Sequence, residues 1–358
     1  MFFLFLILPL VAQVYLTWHL YNIVPLPIWG KVVTAVLATL CFLSLFIQLF
    51  AREALPYRLS VALYNVGSFW LLILLYGTML FLVLDICRLP GLIPRSLLVN
   101  SVVGTSLIVA FLGGLLSYGG WRYHNKERVE LSLHSAKTLE RPLRVVLLSD
   151  LHLGYHNRHA ELERWVKMIN DEKPDLVLIA GDIIDNSVKP LIEDKMAPVL
   201  RGIEAPVYSC LGNHEYFAST SAAAQFFRDA DINLLIDDCV TLCGVTVIGR
   251  DDRTNRDRAG LPSLVARADT TKYTILLNHQ PCHLEQAQRC GIDFEFCGHT
   301  HRGQVWPISW ITDRIFEVSH GFKQKGNTAI YVSSGLGIWG PRARIGTVSE
   351  YVVVTIES

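Results

Sequence analysis

Asp150 and His152 stand one residue apart at the end of the apolar run VVLLSDLHLG (145–154), and both side chains are metal-competent. Four later stretches carry the same kind of residue after an apolar run. They are Asp182 in GDIID (181–185), Asn213 and His214 in GNHEY (212–216), His279 in NHQP (278–281), and His299 and His301 in GHTHRGQVWP (298–307). Singly, each has a plain structural explanation, since an Asp after a strand commonly caps a turn. Coincidence at all five places explains them poorly. A donor set of Asp, Asn and His without thiolate suits Mn²⁺, Fe²⁺, Zn²⁺ or a mixed pair. Two such ions, about 3.5–4 Å apart, need a shared carboxylate to offset their repulsion. Asp182, alone after its strand, is the natural bridge, and a water between the ions would be acidified to hydroxide and ready to attack. His214, beside Asn213, is placed to give a proton to a departing oxygen or to stabilise charge on phosphoryl oxygens.

Strands must bring these residues together. Leu143–Ser149, Asp175–Ala180, Pro206–Leu211, Tyr273–Leu277 and Asp293–Cys297 are apolar runs that each end at one of the motifs. Between the first two, His159–Glu172 places Leu162, Val166 and Ile169 at helical spacing and stops before Pro174. Strand, ligand loop, helix and strand follow βαβ logic, with the chemistry at the carboxyl ends of strands. Further strands are expected at Arg128–Leu133, Asn233–Ile236, Val245–Ile248, Ala329–Ser333 and Tyr351–Ile356, with helices over Val188–Leu200 and Ser221–Asp229. The fold class expected is α/β (α+β), a two-sheet β-sandwich flanked by helices, over residues 122–358.

The first 121 residues are of another kind. They hold only seven charged side chains: Lys31, Arg52, Glu53, Arg58, Asp85, Arg88 and Arg95. Four runs, 2–20, 32–50, 60–84 and 96–120, are long enough to span a hydrocarbon core of about 30 Å as helices. Pro25, Pro27, Pro56, Pro90 and Pro94 fall between them. With four spans and the N-terminus inside, Arg52, Arg58, Arg122, Lys126 and Arg128 face the cytoplasm against Lys31, Arg88 and Arg95 outside. The positive-inside rule then sets the globular domain in the cytoplasm of a multi-pass cell-membrane protein. Trp121 and Tyr123 suit an interfacial helix end. Gly104, Gly113-Gly114 and Gly119-Gly120 are candidates for close helix approach, although glycines without a partner explain them as well. Net charge of +0 leaves no footprint for nucleic acid. Cys239 and Cys243 have a zinc-like spacing with no second pair to complete it.

The series SDLHLG, GDIID, GNHEY, NHQP and GHTHRGQ, in that order, resembles the calcineurin-like metallophosphoesterase superfamily over about 143–356. The GHTHRGQVWP block and the ending SSGLGIWGPRARIG (333–346) look most like its YkuE/LpxG-like branch. That resemblance implies a metallophosphoesterase fold of two mixed sheets with helices outside. It implies Asp150, His152 and His301 on one divalent metal, Asn213, His279 and His299 on the second, and Asp182 bridging. His214 takes the general-acid or phosphate-contacting role. In that branch a membrane anchor precedes the domain and substrates can be membrane-associated phosphodiesters or pyrophosphates. Cleavage of a phosphodiester or pyrophosphate bond by a metal-bridging hydroxide is therefore expected, with a lipid-linked substrate among the candidates. The alternative is a membrane regulator or scaffold whose metal-loaded domain binds phosphorylated ligands without turnover. A third possibility is a four-helix transporter or lipid-handling unit coupled to the enzyme.

Other residues invite a role. Arg302 stands where the branch usually has glycine and is a candidate phosphate contact, as is Arg250 at the mouth of the site. His156 and Asn157 are expected in an exposed loop. Trp306, Trp310 and Trp339 are candidates for an apolar wall or a membrane-facing edge, with core packing expected of at least two.

Overall fold

A computed structural model describes residues 2–358, with side chains from residue 7 onward. The chain divides into two compact units, Met1–Trp121 with Gly340–Arg342, and Arg122–Trp339 with Ala343–Ser358.

The first unit is built from helices α1 (Phe2–Ile23), α2 (Ile28–Ala51), α3 (Tyr57–Arg88) and most of α4 (Val102–His124). Among the described residues three helices, α2, α3 and α4, are long and apolar enough to cross a membrane, with mean hydropathies of 2.3, 2.2 and 1.8. Four spans were expected; the first, 2–20, falls partly outside the described side chains. Proline sets two of the starts, with Pro27 and Pro56 immediately before α2 and α3. The last start is later than the apolar run suggests. Residues Arg95–Leu97 form a single tight turn, and Ser101 Oγ accepts from the Gly104 N–H at 2.9 Å, which caps α4. Gly67 allows close helix approach, since a β-carbon there would lie 2.5 Å from the Leu45 amide nitrogen; of the expected glycines, Gly104 lies tight against Leu97 O, while around Gly113 and Gly114 there is open space. Near their ends, α1 and α3 share a polar contact. Tyr15 Oη donates to Asp85 at 2.7 Å, and His19 Nε2 lies 3.0 Å from the same carboxylate.

The second unit is a layered sandwich of two six-stranded sheets. Twelve strands contribute: β1 (Glu127–His134), β2 (Leu143–Leu148), β3 (Leu176–Ala180), β4 (Val207–Cys210), β5 (Ile232–Leu234), β6 (Asp238–Leu242), β7 (Val245–Gly249), β8 (Tyr273–Leu277), β9 (Phe294–Cys297), β10 (Gly321–Lys325), β11 (Thr328–Val332) and β12 (Glu350–Glu357). Sheet one has the order β1-β12-β2-β3-β4-β5 and sheet two the order β10-β11-β9-β8-β7-β6. Within them β2, β3, β4 and β5 run parallel, as do β7, β8, β9 and β11. Parallel strands deliver all their carboxyl ends to one edge, which is where the motifs lie.

Alternation explains the layering. Leu143, Val145 and Leu147 of β2 meet Ile275, Leu277, Phe294 and Phe296 between the sheets. Val146 and Leu148 point the other way, against Leu162, Trp165, Val166 and Ile169 of helix α5 (His159–Asp171). Each such side chain, fully buried, contributes about 1.5–3 kcal/mol. Ile248 and Leu276 face outward from sheet two onto Leu261, Leu264, Ala287 and Ile292.

The sequence signals missed two strands and one break. β6 and β10 are partly exposed edge strands that pair antiparallel with β7 and β11, and they lack the continuous apolar run of a central strand. The expected helix Val188–Leu200 is two short helices, Lys189–Glu193 and Met196–Leu200, separated at Lys195 with φ 51°. Asp194, at the break, is held by Arg158 in a two-pronged ion pair at 2.7 and 2.9 Å. Cys239 lies in β6 and Cys243 in the turn after it. Among the described residues, no cluster of metal-competent groups includes a cysteine.

Candidate metal centre

The ends of β2, β3 and β9 turn sharply. Asp150, His152, Asp182, His299 and His301 have φ of 54°, 43°, 52°, 70° and 47°. Left-handed backbone at non-glycine residues costs about 1–3 kcal/mol each and persists only where the surroundings enforce it. Here backbone hydrogen bonds between neighbouring loops do so. Asp150 N–H donates to Gly181 O at 3.1 Å, His152 N–H to Asp182 O at 3.0 Å, and Gly298 N–H to His279 O at 2.9 Å. Small residues are required at the crossings, because a β-carbon on Gly212 would lie 2.1 Å from Asp182 Oδ1.

These turns gather the side chains into adjoining clusters. In the first, His152 Nε2 faces His301 Nε2 at 3.0 Å, with Asp150 Oδ1 at 3.8 Å and 3.4 Å from the two nitrogens. In the second, His279 Nε2 lies 3.0 Å from Asp182 Oδ2 and 3.2 Å from Asn213 Oδ1, and His299 Nδ1 lies 2.9 Å from that amide oxygen. Asp182 joins them, since its Oδ2 is also 3.7 Å from His152 Nε2. His279 Nδ1–H donates to Ala180 O at 2.7 Å, so Nε2 is the nitrogen that points into the cluster. Ring nitrogens and carboxylates converging in a buried space suit divalent cations, which would take the place of the protons that His152 and His279 hold beside the carboxylates. The donor set therefore fits them, with Asp150, His152 and His301 able to hold one, and Asp182, Asn213, His279 and His299 able to hold another.

The electrostatics follow from the same packing. Burial works against the charge on Asp182, and the charges of His279 and His214 outweigh it, so the carboxyl stays well below its usual range. Burial likewise opposes a charged His152, but hydrogen bonds to Asp150 and Asp185 push it up to about 10. For His299 burial prevails, aided by the charge of His279, and its pKa falls to about 4.

Three residues that sequence reasoning left out hold the clusters in place. Asp185, the last residue of GDIID, sits between His152 Nδ1 at 3.4 Å and His214 Nδ1 at 3.5 Å. Glu215 is fully buried and accepts the amide protons of Asp182, Ile184 and Gly212 at 3.0, 3.0 and 2.8 Å. Its presence three residues after Gly212 was the available signal, a capping-box spacing. Arg344, wholly buried, donates to the carbonyls of His301 at 2.8 Å, Ser334 at 2.5 Å and Gly337 at 3.1 Å. It ties the loop 334–337 to the last motif, and burial lowers its pKa to about 10.

His214 lies at the rim, with its amide donating to Asp182 Oδ1 at 2.9 Å and its Nδ1 donating to Asp185 O at 2.7 Å. Arg302 is partly exposed, 3.7 Å from Asp313. Arg250 turns inward and donates to Gln286 Oε1 at 3.2 Å. The expected exposed loop at His156 and Asn157 is instead buried. Asn157 Nδ2 donates to the carbonyls of Leu151, His152 and Ile338 at 3.0, 3.1 and 3.0 Å, and Tyr123 Oη donates to its Oδ1 at 2.6 Å. Trp306, Trp310 and Trp339, expected mostly in the core, are 37%, 65% and 48% exposed.

The sequence profile described as calcineurin-like phosphoesterase matches residues 143–303. A metallophosphoesterase of Aquifex aeolicus is 31% identical over 225 residues, which cover 60% of this chain and 85% of that one. The chain belongs to this family. It is also similar to the metallophosphoesterase YkuE of Bacillus subtilis, 29% identical over 69% of this chain and 93% of that one. A zebrafish (Danio rerio) transmembrane protein with metallophosphoesterase domain is 30% identical, over 60% of this chain and 53% of that one. The chain spans about three-fifths of the length of several bacterial relatives, 59%, 60% and 59% in three of them. Two mixed sheets with helices outside and the loops of 143–303 at one edge are thus the metallophosphoesterase fold, here joined to apolar helices.

Proposed function

We propose that this chain is a membrane-anchored phosphohydrolase that cleaves a phosphodiester or pyrophosphate bond, in a lipid-linked substrate, with two divalent ions of the Mn, Fe or Zn type. The observation that carries the reading is the single carboxylate of Asp182 in reach of both histidine clusters, 3.0 Å from His279 and 3.7 Å from His152. Divalent ions held there would neutralise phosphoryl charge and acidify a water. The protein's own groups do the rest. Asp150 and His301 on one side, and Asn213, His279 and His299 on the other, hold the phosphate-facing surface in one arrangement. His214 is the proton donor. With Nδ1–H engaged on Asp185 O, its Nε2–H is the proton available to the departing oxygen. Burial opposes that cation, and the charge of Asp182 outweighs burial to raise its pKa. The excess of basic residues next to the spans supports a cytoplasmic catalytic domain.

The test uses the full-length protein in detergent or nanodiscs, supplied with Mn²⁺ and a generic aryl phosphodiester. Turnover abolished by chelation and restored by the metal is expected. A metal-loaded protein inert toward the aryl ester and toward a panel of nucleotide-linked lipids, glycerophosphodiesters and phospholipids would overturn the reading, and products identified by mass would name the substrate.

A further inference from the structure

The helix Ile308–Ile315, directly after GHTHRGQVWP, is built inside out. Its small polar residues Ser309 and Thr312 are buried, whereas Ile308, Trp310, Ile311 and Ile315 are 41%, 65%, 58% and 69% exposed. Other helices of the same unit obey the usual rule. α5 buries Leu162, Trp165 and Ile169, and Thr220–Asp229 buries Phe226 and Phe227. The inversion has a local cause. Gly303, at φ +67°, brings its backbone so close that a β-carbon there would lie 2.6 Å from Thr312 Oγ1 and 2.7 Å from Ser309 N. Only small side chains fit beneath the helix, so the large ones stand outward.

Outward apolar groups scattered singly need no explanation, but a cluster does. Among the described residues of the second unit, ten large apolar side chains are exposed, and five of them lie in 306–315. Trp306 and Trp310 rings meet edge to face at 5.4 Å, and Gln304 Nε2 holds the Trp339 carbonyl at 3.0 Å, which brings a third exposed indole to the same loop pair. Trp and Ile on one short helix match the composition of segments that lie in the headgroup region of a bilayer. A bilayer is also what the chain itself supplies. α4 is apolar enough to span and ends at His124, and β1 begins at Glu127, so two residues, with a reach of about 7 Å, separate span from catalytic fold. The patch adjoins the metal centre, since the Phe316 ring is 6.2 Å from His299.

We infer that Ile308–Ile315, with Trp306 and Trp339, is a membrane-docking helix that inserts its apolar side chains into the lipid headgroup–acyl boundary beside the mouth of the metal centre. The inference rests on the membrane-anchored part of the function proposed above and not on its hydrolytic part.

The experiment places the photocrosslinking residue benzoylphenylalanine at Ile311, at Ile315 or, as a control, at exposed Arg228, in the full-length chain. Each protein is reconstituted in phosphatidylethanolamine–phosphatidylglycerol nanodiscs, irradiated and analysed by intact mass. Phospholipid adducts at 311 and 315, about tenfold above position 228, are expected. Equal lipid yield at all three positions, or an adduct to a second copy of the chain in place of lipid, overturns docking. The readout needs no turnover, so a protein that crosslinks lipid but hydrolyses nothing upholds the docking while the hydrolytic reading falls. A chain that does not enter nanodiscs overturns the anchoring and the docking together.

Discussion

The two sheets of the second unit bring different chemistry to their shared edge. Sheet one supplies every carboxylate of the clusters, Asp150, Asp182 and Asp185, together with His152, Asn213 and His214, from the ends of β2, β3 and β4. Sheet two supplies only imidazoles, His279, His299 and His301, from the ends of β8 and β9. Neither set alone makes either of the two clusters that Asp182 links: Asp150 and His152 meet His301, and Asp182 meets His279 and His299. The carboxylate-bearing wall and the imidazole-only wall meet where Leu147 and Phe296 pack into the common core and hold them together. Such a division makes the chemistry depend on the fold's largest buried layer, so the centre forms only in the finished structure.

Substitutions that remove the link between the walls should act most strongly. Asp182→Asn is expected to strip metal from both clusters and lower turnover about a thousandfold, several kcal/mol of lost charge stabilisation. Metal analysis beside kinetics checks it, and full turnover without bound metal would sink the two-cluster scheme. His214→Ala, on sheet one's rim, should keep its metal and lose about a hundredfold in turnover. An aryl ester with a very good leaving group should recover most of that loss if His214 donates the proton. Asp185→Asn acts through His152 and His214, with about a tenfold loss. A merely structural Asp185 would leave the pH–rate profile unmoved, whereas a positioning Asp185 shifts the limb assigned to His214.

The smallest effect on turnover is expected from Glu295 on the outer face of sheet two. Burial raises this carboxyl from 4.5 to about 7, even though Asn278 donates to it at 2.8 Å. The folded protein then binds a proton that the unfolded chain has released. Stability should fall as pH rises from about 4.5 through about 7, and stay lower above it. Glu295→Gln keeps the hydrogen bond and loses the titration. It should flatten that slope and raise stability at pH 8 by about 3 kcal/mol at most. Denaturant unfolding at pH 5 and pH 8 decides, and an unchanged slope would show that the carboxyl is solvated.

Much of this was legible in the residues. The five apolar runs that end in Asp, Asn or His are β2, β3, β4, β8 and β9 within a residue or two, because a strand buried on both faces leaves a continuous apolar signal. Edge strands β6 and β10 leave no such signal, being partly exposed. Asn157 and His156 looked like loop residues because polar side chains mark loops on average. Their burial comes from partners nearly two hundred positions away, around Ile338. Likewise at least two of the three indoles looked like core, since local composition does not tell which way Gly303 pushes the following helix.

By itself the amino-acid order determined which side chains stand at strand ends, and that an apolar N-terminal third precedes a domain rich in charge. Tertiary structure decided which imidazole meets which carboxylate. That choice rests on sheet order, on left-handed turns at Asp150, His152, Asp182, His299 and His301, and on buried Arg344 and Glu215 closing the loops behind them. These are long-range contacts, and no spacing along the chain encodes them.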